Sequence, residues 1–174
     1  RERLVTQWQP RPTPLPAERS IDEAVAGRAR TEPNRIALCC EDRELSYASL
    51  DAAIDALVAR LARRGVKPRD HVAIFLPRSE YLVIAALAVQ RLGAAYVPCD
   101  PTHPSSRLAR VFDVARPVCV ITESSVIAAL PDNAPALIDI EAEAESPAGD
   151  PAPARARVAA DDTAYVIFTS GSSG

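Results

Sequence analysis

The stretch Asp70-His71-Val72-Ala73-Ile74-Phe75-Leu76-Pro77-Arg78-Ser79-Glu80-Tyr81-Leu82-Val83-Ile84-Ala85-Ala86-Leu87-Ala88-Val89-Gln90-Arg91-Leu92-Gly93-Ala94-Ala95-Tyr96-Val97 contains one complete unit of a repeating pattern. Val72 to Leu76 is an unbroken apolar run between Asp70 and Pro77, the composition of a strand buried on both faces. Ser79 can open a helix carrying Leu82, Ile84, Ala85, Leu87 and Ala88, which closes near Gly93. Ala94 to Val97 then reads as a second strand. A strand, a helix of about ten residues and another strand form a right-handed crossover between parallel strands.

The alternation extends in both directions. Upstream, Ser20 with Glu23 makes a capping box for a helix that ends before Pro33. Ile36 to Cys40, the polar turn Glu41-Asp42-Arg43 and Leu45 read as a β-hairpin. Ser46 caps a helix whose Leu50, Ile54, Leu57, Val58 and Leu61 fall on one face, with Gly65 as its stop. Downstream come a helix from Pro104 to Ala115, a strand from Val118 to Ile121, a short helix from Ser124 and a strand near Leu137 to Ile140. The expected fold class is therefore α/β, a mainly parallel sheet with flanking helices.

The ends differ in composition. Residues 1–19 include Pro10-Arg11-Pro12-Thr13-Pro14-Leu15-Pro16, which can form neither a helix nor an inner strand, and read as a linker with Leu4 and Trp8 as docking points. Ala, Pro and Glu dominate from Glu141 to Arg157, which reads as an exposed connection. The formal net charge of −3 argues against nucleic acid or an anionic membrane as partner. Tyr81 to Val89, the longest apolar stretch, is too short to cross a bilayer. The start is no secretory leader, and the absence of methionine marks the chain as part of a longer product, expected in the cytoplasm. Cys39, Cys40, Cys99 and Cys119 contain no C-x-x-C pair and read as small buried residues; neither His71 nor His103 has a ligand cluster beside it. No metal site is expected.

The chemistry points to the end of the chain. Ligands of open parallel sheets bind beyond the carboxyl ends of the strands. There Ala164-Tyr165-Val166-Ile167-Phe168 reads as a strand running directly into Thr169-Ser170-Gly171-Ser172-Ser173-Gly174. Glycines and small residues allow close backbone approach, and hydroxyls with successive N–H groups can surround phosphate oxygens. Taken alone, such a loop is more often a plain Ser/Gly connection or flexible linker. It fits neither G-x-G-x-x-G nor G-x-x-x-x-G-K-[ST].

Three ordered segments carry a resemblance. Asp162 to Gly174 resembles the phosphate-loop motif of the adenylate-forming enzymes, Y-T-S-G-[ST]-T-G-x-P-K-G. Glu44-Leu45-Ser46-Tyr47-Ala48-Ser49-Leu50 resembles their L-[TS]-Y-x-E-L. Gly93-Ala94-Ala95-Tyr96-Val97-Pro98-Cys99-Asp100-Pro101, followed by Pro104 and Arg107-Leu108, resembles G-A-A-Y-V-P-[IL]-D-P, the form found in adenylation domains of nonribosomal peptide synthetases. Residues 1–19 resemble the segment joining a condensation domain to an adenylation domain, and residues 20–174 the amino-terminal part of that domain, reaching into its phosphate loop. Ser49, Cys99, Phe168 and Ser173 depart from the pattern without removing a hydroxyl or glycine from the loop.

The resemblance implies an enzyme that uses ATP and Mg²⁺ to convert an amino acid to an aminoacyl adenylate. The acyl group then passes to phosphopantetheine on a neighbouring peptidyl-carrier domain. Thr169, Ser170, Gly171, Ser172, Ser173 and Gly174 would hold the ATP phosphates. The resemblance further implies that Pro-Lys-Gly follows Gly174, and that the catalytic lysine and amino-acid pocket lie downstream, leaving residues 1–174 inactive alone. Tyr96, Asp100 and Arg107 read as structural: a packed ring, a carboxylate bonded to its own loop, and an anchor between loop and helix. Two rivals stand beside this reading, an acyl-CoA synthetase acting on fatty or aryl acids and a non-enzymatic nucleotide-binding or docking module.

Overall fold

The structure, a computed structural model, describes residues 20–141, 153–159 and 161–169. Helix α1 (Ile21–Thr31) begins where the Ser20 hydroxyl accepts the Glu23 N–H at 3.1 Å. The hairpin of β1 (Ile36–Cys40) and β2 (Arg43–Ser46) is antiparallel and turns at Glu41, whose φ is 52°. The Ser46 hydroxyl accepts the Ser49 N–H at 3.2 Å and so starts α2 (Tyr47–Arg63). Its stripe of Leu50, Ile54, Leu57, Val58 and Leu61 is buried, and Gly65 follows with φ 83°.

The remaining named elements alternate: β3 (His71–Phe75), α3 (Glu80–Arg91), β4 (Ala95–Cys99), α4 (Ser105–Ala115), β5 (Cys119–Thr122) and β6 (Ala136–Asp139). A single 3-10 turn, Ile127–Ala129, stands where a short helix from Ser124 is expected. The four strands form one parallel sheet in the order β4-β3-β5-β6, with His71 opposite Ala95, Val72 opposite Cys119 and Cys119 opposite Ala136. Successive side chains of a strand point to opposite faces, so each strand feeds two cores. Val72, Ile74, Cys119, Ile121 and Ile138 pack with α2 and α3, whereas Ala73, Phe75, Val97, Cys99 and Val120 pack with α4.

Charged groups join the layers. Arg91, whose side chain is 2% exposed, bonds Asp22 of α1 at 2.7 Å and Asp51 and Asp55 of α2 at 2.5 and 2.6 Å. Burial works against its charge, but the three carboxylates outweigh it and hold its pKa above the ordinary value. Asp22 is pushed up by burial, which Arg91 and Arg155 only partly offset. Arg60 of α2 donates to the carbonyls of Asp139 (2.9 Å) and Ile140 (3.4 Å), tying that helix to the end of β6.

Three expectations need correction. Ala164 to Phe168, expected as a strand, makes only one parallel bridge, Tyr165 with Tyr96, outside edge strand β4. Val166 and Phe168 pack toward the α4 core, but Tyr165 is 52% and Ile167 57% exposed, because none of the described helices covers that face there. Cys99 and Cys119 are buried, yet Cys39 is exposed and Cys40 half-buried, since the hairpin lies outside the main sheet. The connection between Glu141 and Arg157 is not simply exposed where described. Ala156 donates its N–H to the Arg91 carbonyl at 3.1 Å, and Arg155 pairs with Asp22 at 3.2 Å. Leu4, Trp8 and the whole segment 1–19 lie outside the described residues.

Candidate phosphate-binding edge

Order in this sheet places every strand's carboxyl end on one edge, and the candidate loop leaves from that edge. The N–H of Tyr96 donates to the Ala164 carbonyl at 3.2 Å, and the N–H of Val166 to the Tyr96 carbonyl at 3.0 Å. The rings of Tyr96 and Tyr165 lie 5.6 Å apart, a tilted stack that supports the packing role expected for Tyr96. With Tyr165 opposite Tyr96 in a parallel bridge, the run to Thr169 heads toward the carboxyl end of β4. Thr169 is exposed there. Ser170, Gly171, Ser172, Ser173 and Gly174 lie outside the described residues.

The neighbouring loop is closed on itself. Asp100 Oδ1 accepts the Thr102 N–H at 2.8 Å and the Thr102 hydroxyl at 2.7 Å. Those bonds hold its carboxyl below the usual carboxylate range, helped by the charges of His103 and Arg78. Asp100 thus serves its own backbone, as an aspartate before proline does. Arg107 lies exposed on α4, and among the described residues its side chain makes no bond that would anchor the loop. Toward that edge the described residues include Thr169 and the basic side chains of Arg78 and His103, which act on Asp100, a carboxylate already engaged by its own loop.

A shallow cleft of about 300 Å³ lies at the opposite edge, lined by Arg69, His71, Ala95, Asp161, Asp162 and Thr163. His71 and Ala95 are the first residues of β3 and β4, so this cleft faces away from Thr169. His71 donates Nδ1–H to the Ala115 carbonyl at 2.7 Å and is a structural tie. Among the described residues no group of three His, Cys, Asp or Glu side chains could hold a metal ion. No helix among them is long and apolar enough to cross a membrane.

Comparison with known proteins turns on the same stretch. Residues 25–174 match the model of a family described as AMP-binding enzyme. The chain belongs to the AMP-binding enzyme family. This member of the family is 35% identical over 176 residues to a linear gramicidin synthase of Brevibacillus parabrevis, a match covering 100% of the chain and 3% of that protein. It is 33% identical over 180 residues to the dimodular nonribosomal peptide synthase of Bacillus subtilis, covering 100% of the chain and 7% of the relative. The chain thus spans a small fraction of the curated relatives it matches. Among solved structures it is similar to the N-terminal subdomain of Klebsiella oxytoca NpsA in complex with 3-hydroxybenzoyl-AMSN. The TM-score is 0.80 at 25% identity, over 92% of this chain and 41% of the other. O-succinylbenzoate coenzyme A synthetase from Bacillus subtilis, in complex with AMP, gives a TM-score of 0.71 at 28% identity over 86% and 39%.

Arg69 and Asp162 carry no signal of their pairing in the sequence. Asp162 merely opens the phosphate-loop motif, and its partner lies 93 residues away, beyond the reach of any local pattern.

Proposed function

We propose that this chain is the amino-terminal part of an adenylation domain that activates an amino acid with ATP for nonribosomal peptide synthesis. The observation that carries the reading is the exit of Thr169 at the carboxyl edge of a parallel sheet, in an AMP-binding family member whose sequence matches peptide synthetases along its whole length. In the proposed reaction the amino-acid carboxylate attacks the α-phosphorus of ATP, the bond to the bridging oxygen breaks, and pyrophosphate leaves. Thr169 to Gly174 hold the phosphates, with Mg²⁺ sharing their charge. The role is positioning and charge neutralisation and requires no general acid or base from this chain. The aminoacyl group then passes to the thiol of phosphopantetheine on a carrier domain, with a condensation domain as upstream neighbour. The working compartment is the cytoplasm.

A second reading has a specific observation behind it. The likeness to a coenzyme A synthetase favours an acid other than an amino acid and coenzyme A as acceptor. Exchange of pyrophosphate into ATP, measured on the complete enzyme with panels of amino, aryl and fatty acids, separates the two. Replacing Thr169 and Ser172 by alanine tests the site. Hydrogen bonds to charged oxygens contribute roughly 1.5–3 kcal/mol each. Each single replacement is therefore expected to lose about ten- to a hundredfold in kcat/KM for ATP, and the double variant more, with the acids ranked as before. A changed ranking with unaltered ATP dependence overturns the site.

A further inference from the structure

Upstream of the candidate loop, Asp162 is held from two directions. Its Oδ2 accepts the Ala159 N–H at 2.8 Å, and its Oδ1 accepts Nε–H and Nη2–H of Arg69 at 3.2 and 3.1 Å. Arg69 is itself fixed: its backbone is left-handed, at φ 71°, and its N–H donates to the Gly93 carbonyl at 2.7 Å. Gly93, at φ 72°, is overlain by Ala156, whose Cβ lies 3.0 Å from where a side chain on Gly93 would begin. Residues 156–159 and 161–162 thus lie across the turn between α3 and β4 before the chain reaches Tyr165.

Fold stability does not explain the Arg69–Asp162 pair. The Arg69 side chain is 81% exposed, and exposed ion pairs contribute little to folding. Register is a different matter. The run from Ala164 to Phe168 meets β4 through a single bridge and its two hydrogen bonds. A slip of one residue there would exchange Val166 and Phe168, which face the α4 core, for Tyr165 and Ile167. Packing of those two side chains opposes the slip, but the ladder itself adds only two backbone hydrogen bonds to hold it.

We propose that Arg69 and Asp162 are positioning residues for the phosphate loop: their latch sets the register at which residues 164–166 meet β4, and so the point from which Thr169 and the loop project. The proposal rests on the reading of residues 169–174 as an ATP phosphate loop.

The test is made in the complete enzyme that carries this chain, by amino-acid-dependent ATP–pyrophosphate exchange. Asp162→Ala is expected to lower kcat/KM for ATP by up to about a hundredfold, the scale of effect that a misplacement of roughly 1 Å produces. The KM for the amino acid should stay unchanged. Arg69→Met should act in the same direction, Arg69→Lys should restore most of the loss, and Arg69→Met should add nothing to Asp162→Ala. Should Asp162→Ala fail to fold, Arg69→Met carries the test, because it removes only the exposed partner. A fall in melting temperature with kcat/KM for ATP unaltered overturns the latch, as does an equal rise in both KM values. The Thr169→Ala/Ser172→Ala variant is run alongside. If it weakens ATP use and the latch variants do not, the latch alone fails. If it leaves ATP use untouched, the phosphate-loop reading fails and the latch proposal with it.

Discussion

Cysteine chemistry divides the chain's four thiols by environment. Burial pushes Cys99 up to about 12 and Cys119 up to about 11, so both stay protonated at neutral pH. Cys39 is exposed beside Glu44 on the hairpin, and Cys40 is half-buried. The thiolate is the reactive form, and access is the second requirement. A disulfide reagent at pH 8 is therefore expected to label Cys39 first and Cys40 more slowly. Cys99 and Cys119 should react only as fast as the protein unfolds. Peptide mapping of the labelled protein checks the order; prompt labelling of Cys99 in the folded state would contradict the burial described. Cys99 stands where the adenylate-forming motif has an aliphatic residue, and its seat against Ala73, Phe75 and Val97 is the packing exchange the sequence suggests.

At the scale of elements, Arg91 joins α1, α2 and α3 through three carboxylates. Removing one member of a buried ion pair strands the other, at a cost of about 3–5 kcal/mol. Arg91→Met is expected to destabilise by that order at pH 7. The pH dependence has a definite sign. Asp22 already lies above its ordinary value of 3.8 because of burial, so the folded state holds its proton more tightly than the unfolded chain does. Stability contributed by such a group falls as pH rises from its unfolded value through its folded one. Without Arg91 that window widens, and the penalty of Arg91→Met should shrink as pH drops from 7 toward 4. Urea melts across that range check it, and a penalty independent of pH would show that Asp22 is not the stranded charge. None of this cluster was legible in the sequence, because Asp22, Asp51 and Arg91 stand on separate helices. The elements themselves were legible. Ser20 and Ser46 cap where their side chains can accept an amide, and Val72 to Leu76 is apolar because both faces are covered. Ala164 to Phe168 reads as a strand for the same reason, but an apolar run does not say how much backbone pairing its neighbour will supply, and only one bridge is made. Of the candidate loop, the exit at the sheet edge could be read from strand order, whereas the latch that aims it could not.

At the scale of the molecule, the described residues include several exposed apolar side chains, two of them beside a sheet edge. Tyr165 and Ile167 project from a segment that borders β4 on one side only. Apolar groups beside an open sheet edge drive association. Residues 1–174 expressed alone are expected to self-associate with rising concentration, and Tyr165→Lys with Ile167→Lys should reduce it. Sedimentation velocity across a concentration series checks this; a monodisperse monomer before mutation would mean that the face is covered from within the chain.

Strand order also matters during translation. Strand β3 sits at the centre of the parallel order, yet both its partners are encoded after it: His71 must wait for Ala95, and Val72 for Cys119. At about 5–20 residues per second a nascent chain needs roughly one to five seconds to supply the first partner and about two to ten for the second. One face of β3, Val72 and Ile74, can dock meanwhile on α2, which has already been made. The other face, Ala73 and Phe75, has no cover until α4 emerges. The ribosome-bound chain therefore passes through an interval with half of its central strand apolar and bare, the kind of segment that a nascent-chain chaperone retains.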